Sequence, residues 1–330
     1  MDHFVKFLKS QWFTIGLLVA VSLGFLVPQG ARINVDGSMT AALVALVFVG
    51  IGFTLPSESL ISGFLKWRLH LYIQSFIFIL TPLFFFFSLP IIKPNITPHI
   101  YIGLVALAVL PTTISTCSVL TMISDGDVSA TLFNASFSNL FGVIVSPVLL
   151  SILLTEAGRS MPLSVLLSII LSLVFKMVIP LVLGQILRFL FKSRAVKSKS
   201  QVTTLNNLLI LSVVYLTIAK SASTTMQNYE LADFFIPLAY LILVHFCLLL
   251  LSIFLATAFK FNGPETISVM YAAPQKTMAM GVPLLTAYFA SEPALLSIAI
   301  LPLLFYHPWQ IVVAGFLKSL PYTKRLAGRA

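Results

Sequence analysis

Apolar runs of about 20 residues recur along the whole chain, and short polar connections separate them. A hydrocarbon core of about 30 Å takes about 20 helical residues to cross, whereas a strand of a membrane barrel needs only about 10. The runs therefore predict helices, which satisfy their own backbone groups in lipid. We predict an all-α membrane protein with ten transmembrane spans at residues 11–28, 39–56, 70–90, 99–123, 129–154, 163–190, 204–222, 234–259, 266–290 and 294–317.

The composition supports this pattern and excludes a soluble protein. Of the 330 residues, 58% are hydrophobic and only 9% are charged, whereas a soluble domain has about 25% charged residues. Most of the 20 lysines and arginines fall on one predicted side of the membrane, which places both termini in the cytoplasm by the positive-inside rule. The net charge of +10 therefore reflects topology, and we expect no nucleic-acid partner. The expected location is the inner membrane of a bacterium.

The ten spans divide into two halves of five, at residues 1–160 and 161–330. Because each half has an odd number of spans, the second half enters the membrane from the opposite side, so an internal duplication is an inverted repeat, which is a common plan of transporters. The basic run FKSRAVKSKS at residues 191–200 lies near the middle of the chain. It can contact anionic lipid headgroups, and an ordinary positive-inside loop is the other interpretation.

Spans four and nine occupy matching positions in the two halves, and both are interrupted by proline and polar side chains. Proline removes a backbone donor, and the carbonyls it frees are tolerated at membrane depth only beside protein or a wet cavity. A pair of packing kinks is the alternative. We favour a site for a solute or an ion, and its candidate residues are Thr112, Thr113, Ser115, Thr116, Cys117 and Ser118 in span four and Gln275, Lys276 and Thr277 in span nine.

A cation in this region would have to use neutral oxygens, because none of the ten acidic residues falls clearly at the midplane. Gln74 of span three could add an amide. In span five, Thr131, Asn134 and Ser138 share one helix face, which we expect to face the polar stretch of span four. No cofactor is predicted, and the candidate sodium ligands are Ser115, Thr116, Ser118, Thr131, Asn134 and Gln275.

Lys276 is about ten residues inside span nine. An ammonium in hydrocarbon costs at least a few kcal/mol, and such residues usually line cavities and serve function. It could occupy the place of a bound cation, or lose its proton because it is desolvated. A lysine that snorkels to the interface is the alternative. For Lys176, which is also inside a span, we favour snorkelling or a carbonyl partner. The histidines have no metal-site spacing.

Five further features of the sequence are specific: Pro111-Thr112-Thr113-Ile114-Ser115, Gly126-Asp127, Phe133-Asn134-Ala135-Ser136, Lys276 and Gly281-Val282-Pro283. With these motifs, the chain resembles the bile acid:sodium symporter superfamily over nearly its full length, and most of all a divergent branch of sodium-dependent transporters. The resemblance implies a core domain of spans 3–5 and 8–10 (about 69–154 and 232–320), in which spans four and nine cross at their breaks. It also implies a panel domain of spans 1–2 and 6–7, and a solute site reached by alternating access.

The chain departs from the bile-acid carriers in span nine. Those carriers have a Glu-x-Gly-x-Gln-Asn-Ser pattern whose acid ligates sodium. Here Gln275 is retained, whereas Tyr271 stands at the acid position and Lys276 at the asparagine position. The sodium ligands of the family therefore carry over only in part. Our hypothesis is that Lys276 replaces one cation, which leaves coupling to one sodium, coupling to protons, or uncoupled transport.

The sequence thus predicts a secondary active transporter, symporter-like, for a small organic solute that we expect to be anionic, coupled to sodium or protons. An intramembrane enzyme is disfavoured because no paired carboxylates, clustered histidines or metal ligands lie within the spans. A channel, or a membrane regulator of ion homeostasis that carries no organic solute, is the alternative. The expected partners are the solute and membrane lipid, and neither the solute's identity nor the oligomeric state follows from the sequence.

Overall fold

The computed structural model describes residues 12–34, 37–55, 65–156, 158, 162–225, 232–289, 296–318 and 320–328. Every regular element in these ranges is helical, and none of them contains a β-strand. Together with the apolar composition, this confirms the coarse prediction of an all-helical membrane protein. Residues 1–11 and 329–330 lie outside the described ranges, so the cytoplasmic location of both termini stays a prediction.

Among the described residues, two predicted spans are interrupted by a π-helical turn, at Phe76–Leu80 and at Val174–Val178. Two 3₁₀ segments of the described chain, Pro28–Asn34 and Lys93–Asn95, follow the ends of predicted spans. In chain order the α-helices are α1 (Trp12–Leu26), α2 (Ser38–Thr54), α3 (Trp67–Ser75), α4 (Thr81–Ile92), α5 (Pro98–Ala108), α6 (Ser115–Ile123), α7 (Val128–Glu156), α8 (Leu163–Leu173), α9 (Ile179–Leu190), α10 (Lys192–Lys197), α11 (Lys199–Thr225), α12 (Ala232–Ala258), α13 (Gly263–Ala272), α14 (Met278–Tyr288), α15 (Leu296–Ala299), α16 (Leu301–Leu317) and α17 (Pro321–Leu326).

Among the described residues, five continuous helical stretches have the length and the composition to cross a membrane. A bent pair, Ile15–Leu26 with Pro28–Asn34, counts as a sixth if it forms one span. Four shorter apolar helices, α2, α5, α14 and α16, have 10–17 residues. The count of ten spans and the inverted repeat therefore stay predictions. The five long stretches are Trp67–Asn95, Val128–Thr155, Leu163–Leu190, Lys199–Lys220 and Phe235–Ala258.

The chain folds as two compact units, each assembled from separate stretches of sequence. Unit 1 comprises Met1–Leu55, Leu171–Tyr229 and Leu285–Ile298. Unit 2 comprises Pro56–Ile170, Glu230–Leu284 and Ala299–Ala330. The predicted division into repeats at 1–160 and 161–330, and the assignment of spans to a core and a panel domain, stay predictions.

Unit 1 is held together by close packing of α2 against α9. A Cβ on Gly184 of α9 would lie 2.9 Å from the backbone nitrogen of Phe53, so only glycine permits this approach. The side chain of Gln185 donates to the carbonyls of Gly52 and, at 3.1 Å, Leu55 at the end of α2. These bonds tie the C-terminal end of α2 to α9.

Unit 2 contains the points at which two predicted spans are broken. The predicted span at 99–123 forms α5 and α6, with residues 109–114 unwound between them, and the predicted span at 266–290 forms α13 and α14, with residues 273–277 unwound. We call these two stretches break A and break B. Pro111 lies in break A and Pro274 in break B, and neither proline can donate to a helical hydrogen bond.

One end of unit 2 carries a charged cluster formed by Lys66, Asp127 and Glu265. The Lys66 ammonium lies 2.7 Å from Asp127 and 2.9 Å from Glu265. Burial tends to lower the pKa of Lys66, but the hydrogen bonds and charges of the two carboxylates outweigh it and raise that pKa. Burial likewise tends to raise the pKa of Asp127, yet hydrogen bonds from the Ala130 backbone and Lys66 lower it. The cluster joins the starts of α3, α7 and α13.

Candidate functional site

The two breaks contact each other inside unit 2. The backbone N–H of Thr277 in break B donates to the carbonyl of Pro111 in break A at 2.9 Å. Close approach here depends on Gly281 in the first turn of α14, because a Cβ at that position would meet Leu303 and lie 2.6 Å from Leu110. The unwound stretches of two different spans therefore form one buried region, which we call the crossing.

Lys276 lies at the centre of the crossing. The residue is only 1% exposed, and its ammonium donates to the carbonyls of Leu110 at 2.8 Å, Ala108 at 3.1 Å and Ile77 at 3.4 Å. The described residues give it no carboxylate partner. In this structure Lys276 does not snorkel, and backbone carbonyls satisfy its Nζ.

The Ile77 carbonyl is available to Lys276 because of a π-helical turn in span three. In this turn the N–H of Thr81 donates to Phe76 five residues back. The next residue is Pro82, which has no N–H to offer to Ile77 in the same pattern. π-Helical turns of this kind are frequent at functional sites.

The carbonyls that break A frees all receive a donor. Lys276 takes those of Ala108 and Leu110, and the Thr277 N–H takes that of Pro111. A carbonyl without a donor would be costly inside a membrane. Side chains of span five and α6 donate to the remaining carbonyls of break A. The remaining bonds are Ser146 Oγ to Val109 at 2.7 Å, Asn139 Nδ2 to Thr112 at 2.7 Å, and the Cys117 thiol to Thr113.

Span ten holds the backbone of break B in place. The Gln310 amide accepts from the Lys276 N–H at 2.8 Å and donates to the Lys276 carbonyl at 2.8 Å. The Tyr306 hydroxyl donates to the Pro274 carbonyl at 2.7 Å and contacts His245 at 2.9 Å. Gln310 also contacts His307 at 3.0 Å. These side chains fix the position from which Lys276 projects.

Three candidate residues carry polar atoms that have no hydrogen-bond partner among the described residues. Gln275 accepts from the Thr113 hydroxyl at 3.2 Å, but its Nε2 has no partner. The Thr112 hydroxyl and the Gln74 Oε1 also have no hydrogen-bond partner among the described residues. Thr112 is 0% and Gln275 1% exposed. Buried polar atoms are nearly always paired, so these atoms mark places where a ligand or water is expected.

The polar face of span five is shared between two neighbours. Thr131 contacts the Thr121 hydroxyl at 3.1 Å, and Thr121 lies in span four but outside its predicted polar stretch. Asn134 instead accepts from Gln74 at 3.0 Å and donates to His70 at 2.9 Å, both in span three. Ser138, the third residue of this face, donates to a carbonyl of its own helix.

The structure does not gather the candidate sodium ligands into one hydrogen-bonded group. Ser115 begins α6, but its side chain lies outside the described part of the structure. Ser118 donates to the Ile114 carbonyl at 2.6 Å, and Thr116 is half-buried in the same helix. No two of the described five, Thr116, Ser118, Thr131, Asn134 and Gln275, hydrogen-bond each other. A sodium site formed by these residues stays a prediction.

Several residues of the crossing are not identified by sequence reasoning. Gln310 and Tyr306 hold break B, and Ile77 and Ala108 contribute only their carbonyls. The sequence pattern of side chains cannot indicate which backbone carbonyls become acceptors. Gln310 could have been identified from the sequence, because it lies three residues after His307 on the same helix face in an otherwise apolar span.

The chain is similar to one protein family and to several named proteins over nearly its whole length. Residues 11–321 match the model of a family described as the SBF-like CPA transporter family. "Sodium/bile acid cotransporter 7" of Mus musculus is 28% identical over 94% of this chain and 92% of its own length. "Uncharacterized protein PA2026" of Pseudomonas aeruginosa is 27% identical over 94% and 92%. "Putative symporter YfeH" of Escherichia coli is 26% identical over 92% and 91%.

Proposed function

The chain belongs to the SBF-like CPA transporter family, and from this premise we propose that it is a secondary carrier of a small organic anion that binds at the crossing. Membership in a transporter family favours transport over catalysis. Two of the named relatives carry "cotransporter" or "symporter" in their names, which supports coupling of the solute to an ion.

The observation that carries the anion assignment is the hydrogen-bond accounting at the crossing. Each carbonyl that break A frees already has a donor, so few acceptors remain for a cation. Two of the three atoms without a partner, Gln275 Nε2 and the Thr112 hydroxyl, can donate. Helices α6 and α14 also begin at the breaks, and a helix N-terminus carries a partial positive charge. Donors and positive potential suit a carboxylate or another organic anion.

Lys276 places a basic side chain in this site. Backbone carbonyls are the ligands that hard cations such as sodium prefer, and three of them surround the ammonium at 2.8–3.4 Å. In our proposal Lys276 takes the position of one coupling cation. Transport is then driven by a single sodium or by protons, and Thr131 and Asn134 remain candidate ligands for a sodium elsewhere in unit 2.

The wider plan of the carrier follows from the resemblance and from the charge pattern. We propose ten spans in two inverted repeats, a core domain that contains the crossing, a panel domain, and alternating access. Both termini are cytoplasmic in this proposal, and the protein resides in the inner membrane of a bacterium. No resident cofactor is required.

Transport by purified protein in liposomes tests the proposal. A panel of labelled organic anions is offered under imposed sodium gradients, pH gradients or neither. We expect saturable uptake of at least one anion, accelerated by one of the two gradients. Flux that ignores both gradients would contradict coupling, and unitary conductance without saturation would favour the channel alternative.

A charge reversal at Gln275 tests where the anion binds. Gln275→Glu places a carboxylate where we propose that Nε2 donates, so anion uptake should fall at least tenfold. The matched control is Gln201→Glu, because Gln201 is exposed on α11 in unit 1. If both variants keep native uptake while folding normally, the anion does not bind at the crossing.

A further inference from the structure

A cavity lies in unit 2 and is lined by none of the residues of the crossing. Its volume is about 610 Å³, and it is partly open to the outside. One wall is the turn that follows α6, and the other is the C-terminal segment around α17. The lining residues are Ile123, Ser124, Asp125, Lys318, Thr323, Lys324 and Ala327.

Both walls of the cavity are held firmly. The turn closes with the Gly126 N–H donating to the Thr121 carbonyl at 2.9 Å, and Asp125 takes a left-handed φ of 57°. The Thr323 hydroxyl donates to the Leu317 carbonyl at 2.6 Å. No space exists for a Cβ on Gly263 of α13, because the Leu326 carbonyl of α17 lies there. Helix α17 is therefore packed against α13, which holds the backbone of Lys324 in place beside the cavity.

The charges of the cavity favour an anion. Lys318 and Lys324 line it together with one acid, Asp125. The described residues place neither lysine in an ion pair, whereas Lys66 has two carboxylate partners at the other charged cluster. Two lysine ammonium groups that line one cavity match the oxygens of a phosphate ester, for which lysine is a common ligand.

The surroundings of the cavity favour a lipid as the source of that phosphate. The elements that form its walls also expose large apolar side chains, which in a membrane protein face the hydrocarbon. The charge pattern places this end of unit 2 on the cytoplasmic side, where anionic lipids attract clustered lysines. The exposed apolar residues are Val119, Met122, Phe316, Leu320 and Tyr322.

We propose that this cavity binds the phosphodiester headgroup of an anionic phospholipid, with Lys318 and Lys324 on its oxygens. The acyl chains then lie along the exposed apolar side chains of α6 and α16. Ser124 of the cavity contacts the Tyr271 hydroxyl at 2.9 Å, and Tyr271 lies two residues before break B. A lipid bound in the cavity therefore lies beside a residue that is hydrogen-bonded to span nine next to its break. This proposal depends on the membrane location and not on the identity of the transported solute.

Lipid binding to the purified, detergent-solubilised protein tests this proposal without any transport measurement. Phosphatidylglycerol and phosphatidylcholine are titrated against the native protein and a Lys318→Gln/Lys324→Gln double variant, with native mass spectrometry as the readout. We expect phosphatidylglycerol to bind about 30-fold more weakly to the double variant, which corresponds to about 2 kcal/mol, since each lysine near an acidic lipid contributes on this scale.

The matched control removes the same charge elsewhere. Lys93→Gln/Lys260→Gln takes two exposed lysines from other parts of unit 2 and should keep native affinity, and arginine at 318 and 324 should restore binding. Equal loss in both double variants, or equal binding of the two lipids, would overturn the proposal. Glycerol 3-phosphate distinguishes a lipid headgroup from a soluble phosphate ester as the ligand. If this soluble ester binds tightly to the native protein and not to the Lys318→Gln/Lys324→Gln variant, the lipid assignment is overturned.

Discussion

Replacing Gln310 with methionine removes the amide that holds break B while keeping a side chain of similar length. The native amide makes two bonds of 2.8 Å, one to the N–H and one to the carbonyl of Lys276. Both backbone groups are buried, and each costs about 1–3 kcal/mol when left without a partner. We therefore expect Gln310→Met to lower the free energy of unfolding by about 2–6 kcal/mol.

Thermal unfolding in detergent measures this loss. At roughly 2 °C per kcal/mol for a chain of this size, the melting temperature should fall by at least about 4 °C. The control is Gln201→Met, which changes an exposed glutamine and should stay within about 0.5 kcal/mol of the native protein. If the two variants melt together, Gln310 does not hold the backbone of Lys276, and the description of the crossing is wrong.

Two further predictions concern packing and charge in unit 2. Gly281→Ala should destabilise by about 1–3 kcal/mol through overpacking, whereas Gly315→Ala, whose Cβ would meet nothing within 4 Å, should be neutral or slightly stabilising. Equal thermal shifts would contradict the close approach at the crossing. The pKa of Asp127 is lowered in the fold, so its contribution with Lys66 is complete above about pH 4 and is lost as the pH falls further. Asp127→Asn should therefore show a flatter decline of melting temperature between pH 6 and pH 3, and parallel curves would refute this.

The sequence was sufficient to predict the helical membrane class and the positions of the two breaks. Pro111 and Pro274 each stand in an apolar run beside polar side chains, and unwinding at such points follows from the missing N–H. Lys276 was expected to serve function because an ammonium is costly at that depth. Its burial and its carbonyl contacts are consistent with that expectation and remove the snorkelling alternative.

The partners of Lys276 could not be predicted, because they are backbone atoms. Ile77 and Ala108 are apolar residues whose carbonyls become available only when a π-helical turn and an unwound stretch form. The pairing of Lys66 with Glu265 joins residues 199 positions apart, and side-chain patterns do not report such separations. Gln310 was visible as a polar residue in span ten, but its contact with break B depends on the packing of the helices.

The number of cations moved with each anion tests the role of Lys276 most directly. Native protein and Lys276→Met are reconstituted into liposomes, and the sodium-to-anion ratio is determined from the membrane potential at which uptake reverses. Lys176→Met, in which Lys176 lies in the π-helical turn of unit 1, controls for the loss of a lysine from a span. If the ammonium stands in for a coupling cation, Lys276→Met moves one more sodium per anion than the native protein and the Lys176→Met variant. An unchanged ratio in a folded, active Lys276→Met protein would contradict the account.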